Sequence, residues 1–358
     1  MTDNLITEMM GLYELYKKPT TFLSNFAKRI ESDASSFELD RKILKAPYAV
    51  DTRRNRPGHQ IDFGGYSSNE FTPPEYNDHT IITMDELDKK LAGRNKYDVA
   101  QVQAAMITLI NDRQIKIGDM YRRSEEKQVS DAFFTGRITY FDGTVVDYEK
   151  HADQSKIVSK SWASAEGKPL DDLGLGCSTS VNLGKSSGGE FVFITRGDCA
   201  EYLIQNEQTQ KIAGAYKKID RVDIGMPLQD TAGAAYHGKI STKGHIIDLW
   251  SYDQACDIPK GYNLAGEGSK LPYIPDGGGV LFPKNALFEM KYAAVFPGDK
   301  RNDDIVALEK IKCQQLPWAN RIVDHGCNYI ECGVKSRVLF IPTDFRSYVT
   351  YTNILGVR

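Results

Sequence analysis

The chain lacks an excess of charge of either sign: 45 lysines and arginines stand against 48 aspartates and glutamates, leaving −3 over 358 residues. No global positive field is available to hold nucleic acid by counterion release, so any such contact should be weak and without sequence preference. Long hydrophobic runs are missing too. The stretch MTDNLITEMMGLYELYKKPTTF begins acidic and is nowhere continuously apolar, so it reads as neither a secretory signal nor a membrane span. Action in the cytosol and no membrane partner are the expectation. Cysteine is sparse: Cys177, Cys199, Cys256, Cys313, Cys327 and Cys332 are scattered without the spacing of a disulfide framework. Free thiols are expected. The sequence also contains no GxSxG elbow, HExxH pair or Rossmann fingerprint.

What is present is an ordinary globular composition, 41% hydrophobic and 26% charged, at a length that suggests about two domains. Leu5, Met9, Leu12 and Tyr16 have helical spacing before Lys17, Lys18 and Pro19 stop the pattern. Phe22, Leu23, Phe26 and Ile30 then form an apolar stripe, which fits either core packing or docking onto a neighbour. Thr83 and Glu86 fit a capping box. A short helix follows, with Gly93 at a C-cap position, and then one long helical pattern over 97–135 with Val102, Met106, Leu109, Ile110, Ile117, Met120 and Tyr121 on its buried stripe. Asp112, Lys116, Arg123 and Lys127 should face solvent. Gly118 costs about 1 kcal/mol relative to alanine inside this helix, so it marks close packing or a bend. Gly136 should end the helix, and RITYFDGTVVDYEK reads as a hairpin with Asp142-Gly143 as a two-residue turn.

Residues 160–189 are rich in glycine and serine and read as a flexible connector. Beyond it FVFIT is a buried strand by length, Asp198 is a plausible N-cap, and HGKIS and HIIDLWSY bracket the Thr242-Lys243-Gly244 turn. Further strand patterns run to SYVTYTNIL, with no internal repeat. The fold class is α+β.

Candidate chemistry is thin. Thr179 to Ser186 looks like a phosphate loop, but a threonine stands where the first glycine belongs and no apolar strand leads in. His325, Cys327 and Cys332 are loosely spaced for zinc. His237 and His245 flank a turn and could face each other. Asp171-Asp172 and Asp303-Asp304 are adjacent pairs, which rarely make an acid and a base at a defined separation. No catalytic residue, cofactor or metal is assigned; a nucleotide-binding enzyme stays as the rival of another class.

The most informative segment is VDTRRNRPGHQIDFGGYSSNEFTPPEYN, residues 50–77, too polar to bury itself and too patterned to be a plain linker. Ile61 and Phe63 alternate with polar residues at strand period. Arg53, Arg54 and Arg56 lie at one end, Glu70 and Glu75 at the other. This predicts a long charged hairpin that needs a partner surface, next to a helix too long for most compact enzymes. A subunit built to overlap its copies follows, with Phe71 as an apolar anchor and the arginines paired with a neighbour's carboxylates. Excising residues 53–76 should leave a folded subunit unable to close shells, and Arg54→Glu should weaken assembly with little change in melting.

The blocks PTTFLSNF, GGYSSNEFTPPEY, LDKKLAGRNKYDVAQVQAAMITLINDRQIKIGD, TGRITY, YIPDGGGVLFP and VLFIPTDFRSYVTYTNI, in this order, resemble the lambda-like major capsid (head) proteins of tailed bacteriophages, whose fold is of the HK97 type. The resemblance implies an N-terminal arm (1–45), an extended loop (46–82), a peripheral domain (83–189 and 301–358) holding the spine helix, and an apical domain (190–300). It implies a closed icosahedral shell of hexamers and pentamers in the virion, enclosing a double-stranded DNA genome, assembled in the host cytoplasm. The implied partners are copies of the chain, a portal, a separate scaffolding protein and a decoration protein. Assembly contacts are then expected from Phe22, Leu23, Phe26, Ile61, Phe63 and the charged residues of the loop, and hinges at Gly93, Gly118 and Gly136. An encapsulin-like compartment shares the fold and is the alternative within the structural class.

Overall fold

The computed structural model describes residues 21–42, 66–92, 98–184, 188–215, 222–229, 233–260, 266–296, 311–324 and 327–356. Its helices are α1 (Met84–Lys90), α2 (Val99–Phe134), α3 (Pro169–Gly184), α4 (Gly197–Gln205) and α5 (Glu207–Ala215). The largest sheet has seven strands in the order Ser155–Ile157, Val349–Thr352, Gly279–Pro283, Glu190–Thr195, His245–Tyr252, Ala234–Thr242, Val222–Gln229. Two of them come from sequence outside 190–300. The segment EFVFIT shows why the sheet is a middle layer. Successive side chains point to opposite faces, and here both are buried. Phe191 and Phe193 enter one apolar cluster with Leu173, Cys177 and Leu203 from the helices, while Val192 and Ile194 enter another with Phe133, Phe282, Phe288 and Phe340.

Helix α3 occupies the stretch expected to be a flexible connector. Its glycines serve close contact, not mobility. A Cβ on Gly176 would lie 1.8 Å from the Tyr351 hydroxyl, one on Gly174 2.7 Å from the Lys243 side chain, and one on Gly184 2.8 Å from the Ser347 backbone. Thr179 to Gly184 are therefore the last turns of a helix, not part of a phosphate loop. Asp198 is also displaced from its expected role: it lies in the first turn of α4, and Arg196 is the N-cap. Helical structure runs on past Lys211, broken at Asn206 between α4 and α5.

The spine helix α2 has 36 residues, roughly 54 Å at about 1.5 Å per residue. Asp98 caps it, its side chain accepting from Ala100 N at 3.0 Å, and Thr83 caps α1 by accepting from Glu86 N at 3.3 Å. The N-terminal part of α2 packs on a second sheet, Leu316–Asp324, Cys327–Ser336 and Tyr76–Thr83, through Ile110, Ile82, Ala319, Ile330 and Cys332. Its C-terminal part buries Val129, Ala132 and Phe133 in the main core. Between these ends the buried positions are Asn111, Gln114, Gly118, Tyr121, Arg122, Glu125, Glu126 and Gln128. Met120, expected on the buried stripe, is 38% exposed. The polar arc finds partners at the sheet backbone: Gln114 Nε2 donates to Trp318 O at 3.0 Å and the Tyr121 hydroxyl to Val334 O at 2.7 Å.

Gly136 terminates the helix region in the left-handed conformation, φ 73°. The following hairpin pairs Arg137–Thr139 with Val145–Asp147, but its turn is longer than expected. Tyr140 N donates to Thr144 O and Gly143 N to Tyr140 O, with Gly143 at φ 84°, so three residues make the connection and the last is left-handed. The Lys243-Gly244 turn does have two residues, both at positive φ.

Candidate assembly surface

Two features that mark the assembly surface in the sequence, the N-terminal stripe and the charged hairpin, converge on α2 and its flanks. Residues 23–26 form a short 3-10 helix whose leading amides would otherwise lack acceptors. Glu126, buried in α2, supplies them: Oε1 accepts from Phe22 N at 2.9 Å and Leu23 N at 2.6 Å, and Oε2 from Ser24 N at 2.9 Å. Burial pushes the Glu126 carboxyl above its ordinary value, and the three amide bonds oppose that shift. Beside it, Arg29 pairs with Glu125 at 3.4 Å and the Tyr292 hydroxyl donates to Glu125 at 3.0 Å. Phe22 and Leu23 are buried in the subunit's own core, Phe22 at 5.1 Å from Trp250 and Phe26 at 5.2 Å from Phe282 between ring centroids. Phe22 and Leu23 thus pack at home, while Phe26 and Ile30 are half-buried.

The hairpin leaves this anchored body. Phe37–Lys42 and Tyr66–Phe71 pair antiparallel from Phe37 opposite Phe71 to Lys42 opposite Tyr66, forming a sheet of two strands. Arg53, Arg54, Arg56, Ile61 and Phe63, with Gly93, lie outside the described residues. The hairpin's base is tied to its own subunit. Phe71 stacks on Tyr140 at 5.9 Å, Glu70 accepts from the Ser36 hydroxyl, and Glu75 faces Lys335 at 3.7 Å. Within its own subunit Phe71 is accordingly a foot of the hairpin. Gly118 lies buried within an unbroken helix and its carbonyl accepts from Gln315 Nε2 at 3.3 Å.

The far end of α2 carries a contact that sequence reasoning missed. Lys150 Nζ donates to Phe133 O at 2.7 Å, Phe134 O at 3.3 Å and Thr350 Oγ1 at 2.6 Å, capping the helix with a cation where its dipole favours one. Burial lowers this amine to about 8. Glu126 was missed for a related reason. A glutamate three residues before Val129 lies on the core arc of the helix, and that position was the available signal.

The other chemical candidates are not brought together. His237 Nε2 bonds Ser251 Oγ at 2.7 Å and His245 Nδ1 bonds Gly188 O at 3.2 Å, so the two histidines do not face each other. Asp172 accepts from Trp162 Nε1 at 2.9 Å. Burial pushes the Cys332 thiol up to about 11, while His325, the Cys327 side chain and Asp303-Asp304 lie outside the described residues. Among the described residues no cluster of metal-ligating side chains occurs and no helix is long and apolar enough to cross a membrane.

An anchored N-terminal segment, a projecting hairpin, a spine helix and a sheet domain define the HK97-type capsid fold. The structure is similar to that of a prophage capsid protein from E. coli CFT073, with a TM-score of 0.66 at 12% identity over 97% of this chain and 98% of that one. Less close are the encapsulin of the SrpI complex from Synechococcus elongatus PCC 7942 (TM-score 0.45, 10% identity, 98% and 96% covered) and the mature capsid of bacteriophage PhiM1 (0.44, 10%, 94% and 88%). No curated protein matches. Residues 12–303 match the family model of phage major capsid protein E, and the chain belongs to that family. It is a structural, shell-forming component of a phage head.

Proposed function

We propose that the chain tiles an icosahedral head around a double-stranded DNA genome by laying the extended hairpin of each copy across the next. The observation that carries this is the isolation of the hairpin: its two strands pair only with each other among the described residues, and a two-stranded sheet is marginal in water without a covering surface. A neighbouring copy supplies that surface in every position of a closed shell. Obligate interfaces commonly bury about 2,000 Å² or more, which the hairpin and the segment 43–65 reach by overlap. The work is mechanical, not catalytic. The extended loop starts earlier and ends sooner than the expected 46–82, running from Phe37 to Phe71, because Tyr76–Thr83 belongs to the sheet under the spine helix; Arg53, Arg54 and Arg56 pair with carboxylates of the neighbour. The apical part centres on 190–300, joined by the strands Ser155–Ile157 and Val349–Thr352. A separate scaffolding protein, a portal and a decoration protein complete the head, assembled in the host cytoplasm, with only non-specific contact to DNA.

The test is excision. Removing 53–76 would take Phe71 and Tyr76 out of the core, so the cut belongs at 44–64, replaced by a short turn. The trimmed chain should melt like the wild type and yield no closed particles in electron micrographs. Particles of normal size would defeat the reading.

A further inference from the structure

The extended hairpin is joined to the body by two legs. The incoming leg, residues 32–36, follows the strand Lys28–Glu31, and the outgoing leg, 72–75, precedes Tyr76–Thr83. Neither leg is in a sheet, and Pro73 and Pro74 remove two amide donors from the outgoing one. Strand pairing therefore cannot hold the legs in place. The side chain of Arg337 bonds both legs at once. Arg337, between the strands Cys327–Ser336 and Val338–Pro342, is buried. Its Nη2 donates to Ser35 O at 3.1 Å on one leg and to Pro73 O at 3.1 Å on the other. Its Nε also donates to Pro73 O at 3.2 Å, and Nη1 to Ala294 O at 3.1 Å on the body. The body completes the clamp: Ala294 N donates to Ala34 O at 3.1 Å and Ala293 N to Arg337 O at 2.8 Å. Among the described residues the guanidinium's hydrogen bonds all go to backbone carbonyls. A planar fork of donors holds three carbonyls at fixed mutual angles; a lysine ammonium also has three donors, but on a flexible stem it does not fix those angles.

We propose that Arg337 fixes the direction in which the extended hairpin leaves the subunit, and thereby which neighbouring copy it reaches. The proposal rests on the assembly reading above. Leverage makes the direction matter. A six-residue strand reaches roughly 20 Å from its base, so a slack of about 10° at the legs moves the far end by about 3 Å, most of the spacing between paired strands. Phe71 on Tyr140 and its strand partner Phe37, buried in the main core, locate the foot of the hairpin, and Arg337 holds the two legs behind it.

The experiment compares the full chain with Arg337→Lys. Spin labels on non-canonical residues replace Glu38 on the hairpin and Lys116 on the exposed face of α2, and their distance distribution is measured in the unassembled subunit. Particle yield is measured under conditions in which the wild type assembles. The expected result is a folded variant with a distribution at least twice as wide and a particle yield reduced at least tenfold. A distribution of wild-type width, or particles of wild-type yield and shape, overturns the proposal. Should Arg337→Lys fail to fold, the double variant Pro73→Gly/Pro74→Gly slackens the outgoing backbone while keeping Arg337 and the carbonyls it binds; a wild-type width is expected there, and a width doubled with Arg337 in place overturns the proposal. A wild-type chain that never closes shells would defeat the assembly reading alone, because the label distances still decide what Arg337 does.

Discussion

Replacing Lys150 with methionine should make the stability of the subunit less dependent on alkaline pH, against the intuition that a capping lysine works best when charged. The amine sits against Phe133 O, Phe134 O and Thr350 Oγ1, 5.8 Å from the centre of the Tyr348 ring, and burial lowers it from 10.5 to about 8. At about 1.4 kcal/mol per unit, holding the charge in the fold costs about 3 kcal/mol. Because the folded value is depressed, this contribution to stability is present above the unfolded value and is lost as pH falls through about 8. The wild type should therefore gain roughly 3 kcal/mol over Lys150→Met between pH 7 and pH 10.5. At pH 7 the variant forfeits bonds to two carbonyls and a hydroxyl, each worth about 1.5 kcal/mol or more, but escapes the burial cost. A net loss of roughly 2 kcal/mol is expected there, widening with pH. Urea unfolding of the unassembled chains, followed by tryptophan fluorescence at constant ionic strength, measures the difference, and other titrating groups cancel between the two proteins. A gap that stays constant or narrows as pH rises would refute the reasoning.

Gly176→Ala should destabilise by about 2–4 kcal/mol, from overpacking against Tyr351 together with loss of its hydroxyl bond to Asp172 O. Combining it with Tyr351→Phe should recover part of that loss in thermal melting, and strictly additive effects would count against a direct clash. Glu126→Gln removes the acceptor that serves Ser24 N, so amides 22–24 should exchange hydrogen faster; unchanged exchange would mean the carboxylate is not the anchor. The Glu126 carboxyl is raised in the fold, so its stabilising contribution is full below the unfolded carboxyl range and is lost as pH rises through the folded value. Relative to Glu126→Gln the wild type should accordingly gain stability between pH 7 and pH 5, and a loss over that interval would contradict the assignment.

Features written in consecutive residues were legible without coordinates. The period of α2, the Thr83 cap, the helix stop at Gly136 and the strand FVFIT each depend on neighbours a few positions apart. Helix α3 was not legible, because glycine in a sequence signals freedom, while Gly174, Gly176 and Gly184 exist to admit Lys243, Tyr351 and Ser347 from far along the chain. Phe22 and Leu23 show another limit: an apolar stripe announces burial but not whose core receives it. A hairpin was expected within 50–77 from charge pattern and alternation; the structure pairs Tyr66–Phe71 from that stretch with Phe37–Lys42, a strand not foreseen. Nor was its fastening, since Glu126 meets residues more than a hundred positions away and Arg337 meets Pro73 across a still longer interval. No periodicity reports such pairs.

The strand Val349–Thr352 is an interior member of the largest sheet, inserted between Gly279–Pro283 and Ser155–Ile157. During synthesis, both strands it pairs with are made long before it. Until residue 352 is free, Leu281 and its neighbours present an open sheet edge, and closing it demands contacts of large sequence separation, which form slowly. A nascent or prematurely released chain is thereby an incomplete building block, so the fold itself delays recruitment into particles until translation has passed this strand.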